Sequence, residues 1–351
     1  MKNTLPFLLL CSVLACSSPQ KHSKPDSPLQ SQPTMLSSEV LNINLDSVSR
    51  VFNMTLVDSL LILSSPSKDY VFQIIDIKNT RYIAPFGKKG NGPGEIRFPA
   101  YVQVDPQNQD NLLIFDKNRF DIYSLPRQHI LSNSHKPEKI INKMDFNVQR
   151  AVKTHTNSYL AYGIFKNRYA LLNSEGDTIK TYLDYPYEDE YNDMSYASLA
   201  MAFQGNILAS PSGKKVVLAT VQSANFEIID INNPMEPVLK SRLNSWKPEF
   251  VNESGGNSIS VAFKQESRLG YTDIAVTNQA VYLLLSGRTR SEYGANASES
   301  NDLHVYDWSG EPLAHYKLDR DISAFEISAS GKELYGFVNE EPALIVKYII
   351  P

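Results

Sequence analysis

Four arginines stand in or beside turn-forming sequence: Arg119 in KNRF (117–120), Arg168 in KNRY (166–169), and Arg288 and Arg290 in SGRTRSEYGANASESND (286–302). A guanidinium fork meets a carboxylate or phosphate with two hydrogen bonds and stacks on aromatic planes. Such planes are offered by Tyr187 and Tyr191, in YPYEDEYNDMSY (185–196), and by Trp246, in SWKPEFVNESGGNSISVAFKQESRLG (245–270). Arginines rimmed by Tyr and Trp suit a glycan, a peptide or a carboxylate. Two ordinary readings stand beside this one. Asn-Arg can belong to the turn itself, and Glu188, Asp189 and Glu190 can neutralise the arginines.

Other chemistries fit less well. FGKKGNGPGEIRFP (86–99) has the glycines and lysines of a phosphate cradle, with Lys88 and Lys89 as its cations. A P-loop needs Gly-Lys-Ser/Thr opening a helix, so that backbone N–H groups and the Lys meet the phosphates. Here Glu95-Ile96-Arg97-Phe98-Pro99 follows the last glycine, and Pro99 would break such a helix. A dinucleotide fingerprint fails for the same reason. The six histidines, His22, His129, His135, His155, His304 and His315, form no pair at metal-ligand spacing, and no G-x-S-x-G nucleophile turn occurs. No metal and no cofactor is expected.

The elements that must position these residues are strands. From residue 39 onward, short runs rich in Val, Ile, Tyr and Phe alternate with Asn, Asp, Gly and Ser, and no helical period stands out. FQIIDIKN (72–79) returns as FEIIDINN (226–233), offset by 154 residues, or about 51 if it spans three repeats. KNRF returns as KNRY after 49 residues. A strand-rich repeat of about 40–50 residues marks a β-propeller with four strands per blade.

The expected fold is therefore all-β, a six-bladed β-propeller of four-stranded blades over 39–351. The third strands are placed at Val71–Ile77, Phe120–Ser124, Tyr169–Asn173, Phe226–Ile231, Leu303–Trp308 and Ala343–Ile349. The sixth blade runs out of chain before its fourth strand. Glu39–Leu45, a spare alternating strand, is expected to complete it and close the ring. Seven blades remain the alternative, because the gap after the fourth repeat is long and contains Ser258–Phe263. The glycine-rich stretch then joins blade 1 to blade 2, with positive φ at Gly90, Gly92 and Gly94.

In a propeller the loops from second to third strand and those from blade to blade open on one face. That face would collect the four arginines, Tyr187, Tyr191 and Trp246 into a ligand-binding surface. The channel is the other place for chemistry, where Asp58 and Asp273 could serve a metal-dependent hydrolase or lactonase.

The N-terminus speaks to location. Lys2 precedes an apolar run from Leu5 to Ala15, too short to span a membrane, so 1–15 reads as a signal peptide. Val13-Leu14-Ala15-Cys16 resembles a bacterial lipobox, with Val where Leu is usual, so Cys16 is expected to carry lipid. Both cysteines, Cys11 and Cys16, lie in this segment, which leaves the body without disulfides. Residues 16–38, rich in Ser, Pro and Gln, read as the lipidated Cys and a flexible tether reaching about 25–30 Å. A net charge of −4 argues against nucleic acid as a partner.

NLLIFDKNRFDIYSL (111–125) resembles an NHL-type propeller repeat, and the lipobox with GKKGNGPGE (87–95) resembles the six-bladed TolB-like propeller lipoproteins of Bacteroidota. The resemblance implies a cell-envelope propeller, with no activity and no site residues. Ser17 rather than Asp after Cys16 favours, by resemblance, a lipid-anchored outer-membrane protein, and the lack of an acidic run after Cys16 favours the periplasmic side over the cell surface. The expected role is a binding or scaffold module for a glycan, a peptide or an envelope protein.

Overall fold

The computed structural model describes residues 32–131, 136–191, 193–253, 255 and 259–351. They form six blades around a channel. The blades are antiparallel sheets whose innermost strands are Met54–Val57, Ala100–Val104, Val148–Lys153, Gly205–Ala209, Tyr271–Val276 and Ala324–Ile327. The third strands fall at Tyr70–Asp76, Asp121–Pro126, Tyr169–Leu172, Asn225–Asp230, Ser300–Asp307 and Leu344–Ile349. The Ile-Ile-Asp repeat is a third strand and its exit turn, in blades 1 and 4. Asp76 accepts from the Lys78 and Asn79 amides, and Asp230 from the Asn232 amide, so the carboxylate shapes the turn.

Successive side chains of a strand face opposite seams, and both seams are apolar. Each blade-to-blade seam accordingly holds its own apolar cluster. Closure is as expected in kind: Glu39–Leu41 pairs antiparallel with Leu344–Ile349, placing Val40 opposite Val346. The strand is shorter than Glu39–Leu45, and Leu45 instead packs with Leu41 in the seam between blades 6 and 1.

Two features depart from expectation. Thr34–Leu36, inside the stretch read as tether, runs parallel to the outermost strand of blade 5, Pro312–Ile322, with Leu36 buried in the next seam. Secondly, helical turns occur: Tyr196–Ala202 forms a helix capped by Ser195, whose hydroxyl accepts from the Ser198 amide. This helix packs with a hairpin, Phe250–Asn252 and Val261–Phe263, through Phe203, Tyr191, Phe250 and Phe263. The extra run in the long gap is therefore half of a small cap on the blade-to-blade loop face, and no seventh blade exists among the described residues.

The glycine-rich stretch does join blades 1 and 2. Gly90 and Gly94 take positive φ and Gly92 does not. A Cβ on Gly94 would lie 2.7 Å from that of Lys136. Lys88 Nζ donates to Glu95 Oε1 at 2.8 Å and Lys89 Nζ to the Ser67 carbonyl at 3.0 Å, so both lysines are engaged within the protein.

Candidate functional site

The innermost strands enclose a cavity of about 390 Å³, within the range of small-molecule sites. Every one of them puts at least one polar side chain in its wall: Thr55, Tyr101 and Gln103, Arg150 and Lys153, Asn206, Asp273, and Glu326. Next to Thr55, Arg150, Asn206, Asp273 and Glu326 stand Leu56, Ala151, Ile207, Ile274 and Ile327, which pack into the seams.

The charges are arranged unevenly. The Arg150 guanidinium lies 3.9 Å over the Tyr101 ring, and its Nη1 donates to Asn206 Oδ1 at 3.2 Å. Asp273 Oδ2 accepts from the Phe325 amide at 2.8 Å and its Oδ1 from the Ile274 amide at 2.9 Å, linking blades 5 and 6. Glu326 Oε1 accepts from the Ile327 amide at 2.9 Å. Burial pushes the Asp273 carboxyl up to about 7, against the pull of these amides and of Arg150. Burial pushes Glu326 up to about 8, and the neighbouring Asp273 adds to it. None of the three makes an ion pair among the described residues. Closer to one rim, Lys153 is paired with Asp105 at 2.8 Å.

The cavity opens on the face of the first-to-second-strand turns, where Asp58, Gln109, Ser210 and Ala329 line it. The cap lies at the other end. There Gln149, from the innermost strand of blade 3, donates to Met201 Sδ of the cap helix at 3.3 Å. Of the two channel aspartates considered from sequence, Asp273 stands in the wall. Asp58 is at the mouth, exposed and ion-paired with Arg127.

The seven residues expected on the loop face are not brought into one site. Arg168 is the clearest correction. Its side chain is 1% exposed, with Nε on Glu227 Oε2 at 3.0 Å, beneath Tyr169, Tyr185 and Phe203. It is part of the seam between blades 3 and 4 and out of reach of a ligand. Arg288 is occupied by both oxygens of Asp321, at 2.7 and 2.8 Å, while Arg290 is exposed in a short helical turn. Tyr187 and Tyr191 pack on Phe203 within the cap, and the Tyr191 hydroxyl donates to the Pro248 carbonyl at 2.7 Å. Trp246 lies under the Arg268 guanidinium at 4.1 Å. Arg119 alone lines a recess, of about 480 Å³, with Arg97, Lys139 and Lys143. Its one carboxylate, Asp121, is shared by Arg119 at 3.0 Å and Lys139 at 2.6 Å.

Sequence reasoning missed Arg150, Asn206 and Glu326. A signal was present: each is a polar residue inside a blade's first strand, and the first strands line the channel. Asn206 and Glu326 are the lone polar side chains of GNILA and AFEI, and Arg150 is one of three in VQRAVK.

Proteins of like sequence or fold are known. The family model described as TolB-like 6-blade propeller-like matches residues 31–330. A protein of Bacteroides fragilis NCTC 9343 assigned as exported shares 13% identity, with a TM-score of 0.54 over 94% of this chain and 97% of that one. A DUF4221 family member from Bacteroides vulgatus ATCC 8482 shares 11% identity, with a TM-score of 0.56 over 91% of this chain and 97% of the other. At these identities both show a common fold. No curated protein matches the sequence.

Proposed function

Because the chain belongs to the TolB-like six-bladed propeller family, whose fold does not dictate an activity, we propose from its site that it is a lipid-anchored binding module of the cell envelope. Its ligand is a small molecule bearing both an acidic and a basic group, such as a peptide or an amino-bearing acidic glycan. One observation carries this reading: Arg150 and the Asp273–Glu326 pair face one cavity and none of them is ion-paired among the described residues. Blades 3 and 6 stand opposite each other in a ring of six. An acidic group would meet Arg150, and an ammonium would meet Glu326 and favour its ionised form.

The lipobox supports the anchor, and the exported Bacteroides protein of like fold supports the location. No helix among the described residues is long and apolar enough to cross a membrane. The channel lining offers the carboxylates of Asp58, Asp273 and Glu326, while the described cluster of three His, Cys, Asp or Glu lies in blade 5. The metal-dependent hydrolase therefore has no observation of its own here. A second binding reading does: the recess around Arg97, Arg119, Lys139 and Lys143 suits an anionic partner on the loop face.

Calorimetric screening of di- and tripeptides and of amino-sugar acids tests both. The expected hit binds wild type, loses at least about tenfold in affinity in Arg150→Met, and is indifferent to Lys143→Ala. Affinity that ignores Arg150→Met and falls in Lys143→Ala would move the site to the loop face.

A further inference from the structure

Sequence spacing gives His304 and His315 no metal motif, yet the fold makes them partners. Asp302 and His304 alternate along the third strand of blade 5 and so share one face of the sheet. His315, on the outermost strand, stands directly opposite His304, and Lys317 opposite Asp302. Two residues further along the same face, Tyr306 packs with Phe226 of blade 4, so the group lies in the seam between blades 4 and 5.

The donor atoms already converge. His315 Nε2 is 2.6 Å and His304 Nε2 3.2 Å from Asp302 Oδ1, and the ligand atoms of the three residues all lie within 4.8 Å of one another. Bonds of about 2.0–2.2 Å from a tetrahedral cation set its N and O donors roughly 3.3–3.5 Å apart. Small side-chain adjustments reach that spacing. His304 is 1% exposed, and its Nδ1 is buried without a hydrogen-bond partner, so the ring keeps a nitrogen that the protein leaves unsatisfied. The seam between the blades covers it. Lys317 Nζ stands 3.5 Å from the other Asp302 oxygen, Oδ2, so Oδ1 is the one turned to the histidines. Asp302 keeps a quarter of its side chain exposed, which leaves a way in for an ion and its remaining water.

We propose that Asp302, His304 and His315 form a binding site for a divalent transition-metal ion of the Zn²⁺ type. Two imidazoles and one carboxylate favour Zn²⁺, Co²⁺ or Ni²⁺ over Mg²⁺ or Ca²⁺, which prefer all-oxygen shells. Binding displaces any imidazole proton, and water completes the shell. The bound ion ties the third strand of blade 5 to the outermost one. Thr34–Leu36 docks on that outermost strand, with Met35 opposite Lys317, so the ion secures the strand that receives the N-terminal segment.

The test uses the mature, tag-free protein stripped with chelator and titrated with ZnCl₂ or CoCl₂. One equivalent of Zn²⁺ is expected to bind and raise the melting temperature, and Co²⁺ to give the visible absorption of a four- or five-coordinate N/O site. In His315→Gln, whose position is partly open to solvent and whose fold is checked by circular dichroism, affinity should fall at least tenfold. Asp302→Asn should weaken binding as well. No uptake by wild type, uptake unchanged in His315→Gln, or equal effects of Ca²⁺ and Zn²⁺ would each overturn the proposal.

Discussion

The pair KNRF and KNRY shows how far one turn sequence determines a residue's fate. In both, Arg follows Asn between a second and a third strand. Arg119 ends on a recess, 22% exposed beside Asp121. Arg168 is enclosed, because the neighbouring blade offers Glu227 and the cap lays Phe203 over it. Charge at the channel wall obeys the same rule of surroundings. Glu326 rises from an ordinary 4.5 to about 8 through burial, so the folded state holds a proton that the unfolded chain releases. The stability tied to that proton is complete below the ordinary carboxylate value and is lost as pH rises through the folded value near 8. Glu326→Gln should therefore flatten the fall in stability between about pH 5 and 8, by on the order of 2 kcal/mol at the upper end. Urea denaturation at several pH values reads this directly. Parallel pH profiles for the two proteins would show that Glu326 does not carry the proton.

At the scale of elements, the N-terminal segment contributes twice. Glu39–Leu41 supplies the sixth blade's fourth strand, and Thr34–Leu36 adds a fifth strand to blade 5. A truncated protein starting at residue 32 should melt as the full body does. Starting at 39 removes Leu36 and a three-residue parallel pairing, a loss of about 1.5–3 kcal/mol for the buried leucine. Starting at 47 also removes Leu41 and Leu45 from the closing seam and exposes a blade edge, costing several kcal/mol more. A graded series of melting temperatures is the expected outcome. Equal values for the starts at 32 and 39 would mean that the outer strand contributes nothing.

For the whole molecule the question is attachment. The lipobox reading of Cys16, and the tether up to about residue 31, concern the chain outside the described residues. Cys16→Ser should release the protein from the membrane fraction in fractionated cells, without altering the melting temperature of the propeller. Retention of the variant in that fraction would assign anchoring to the folded body. Such an outcome would leave the channel reading intact, since no lining residue of the channel precedes Asn53 in sequence.

Much of the architecture was legible because propeller information is local and repeated. Each blade writes its strands as short apolar runs, and period-two alternation with Asp- and Gly-based turns needs no partner to be recognised. Two repeats, at offsets of 154 and 49, were enough to place the third strands within a few residues. The spare closing strand, expected at 39–45 and found at 39–41, followed from counting. What the sequence could not determine was which side chains meet. Strands of different blades come together only when the ring closes, so the facing of Arg150, Asp273 and Glu326 across one cavity is set by distant pairings. His304 and His315 illustrate the same point within a blade. Eleven positions apart they carry no motif, and the cross-strand register alone puts them opposite each other. The closing of Arg168 under Phe203 depended on a seven-residue helix too short to show a period of its own, held in place by packing against the cap hairpin.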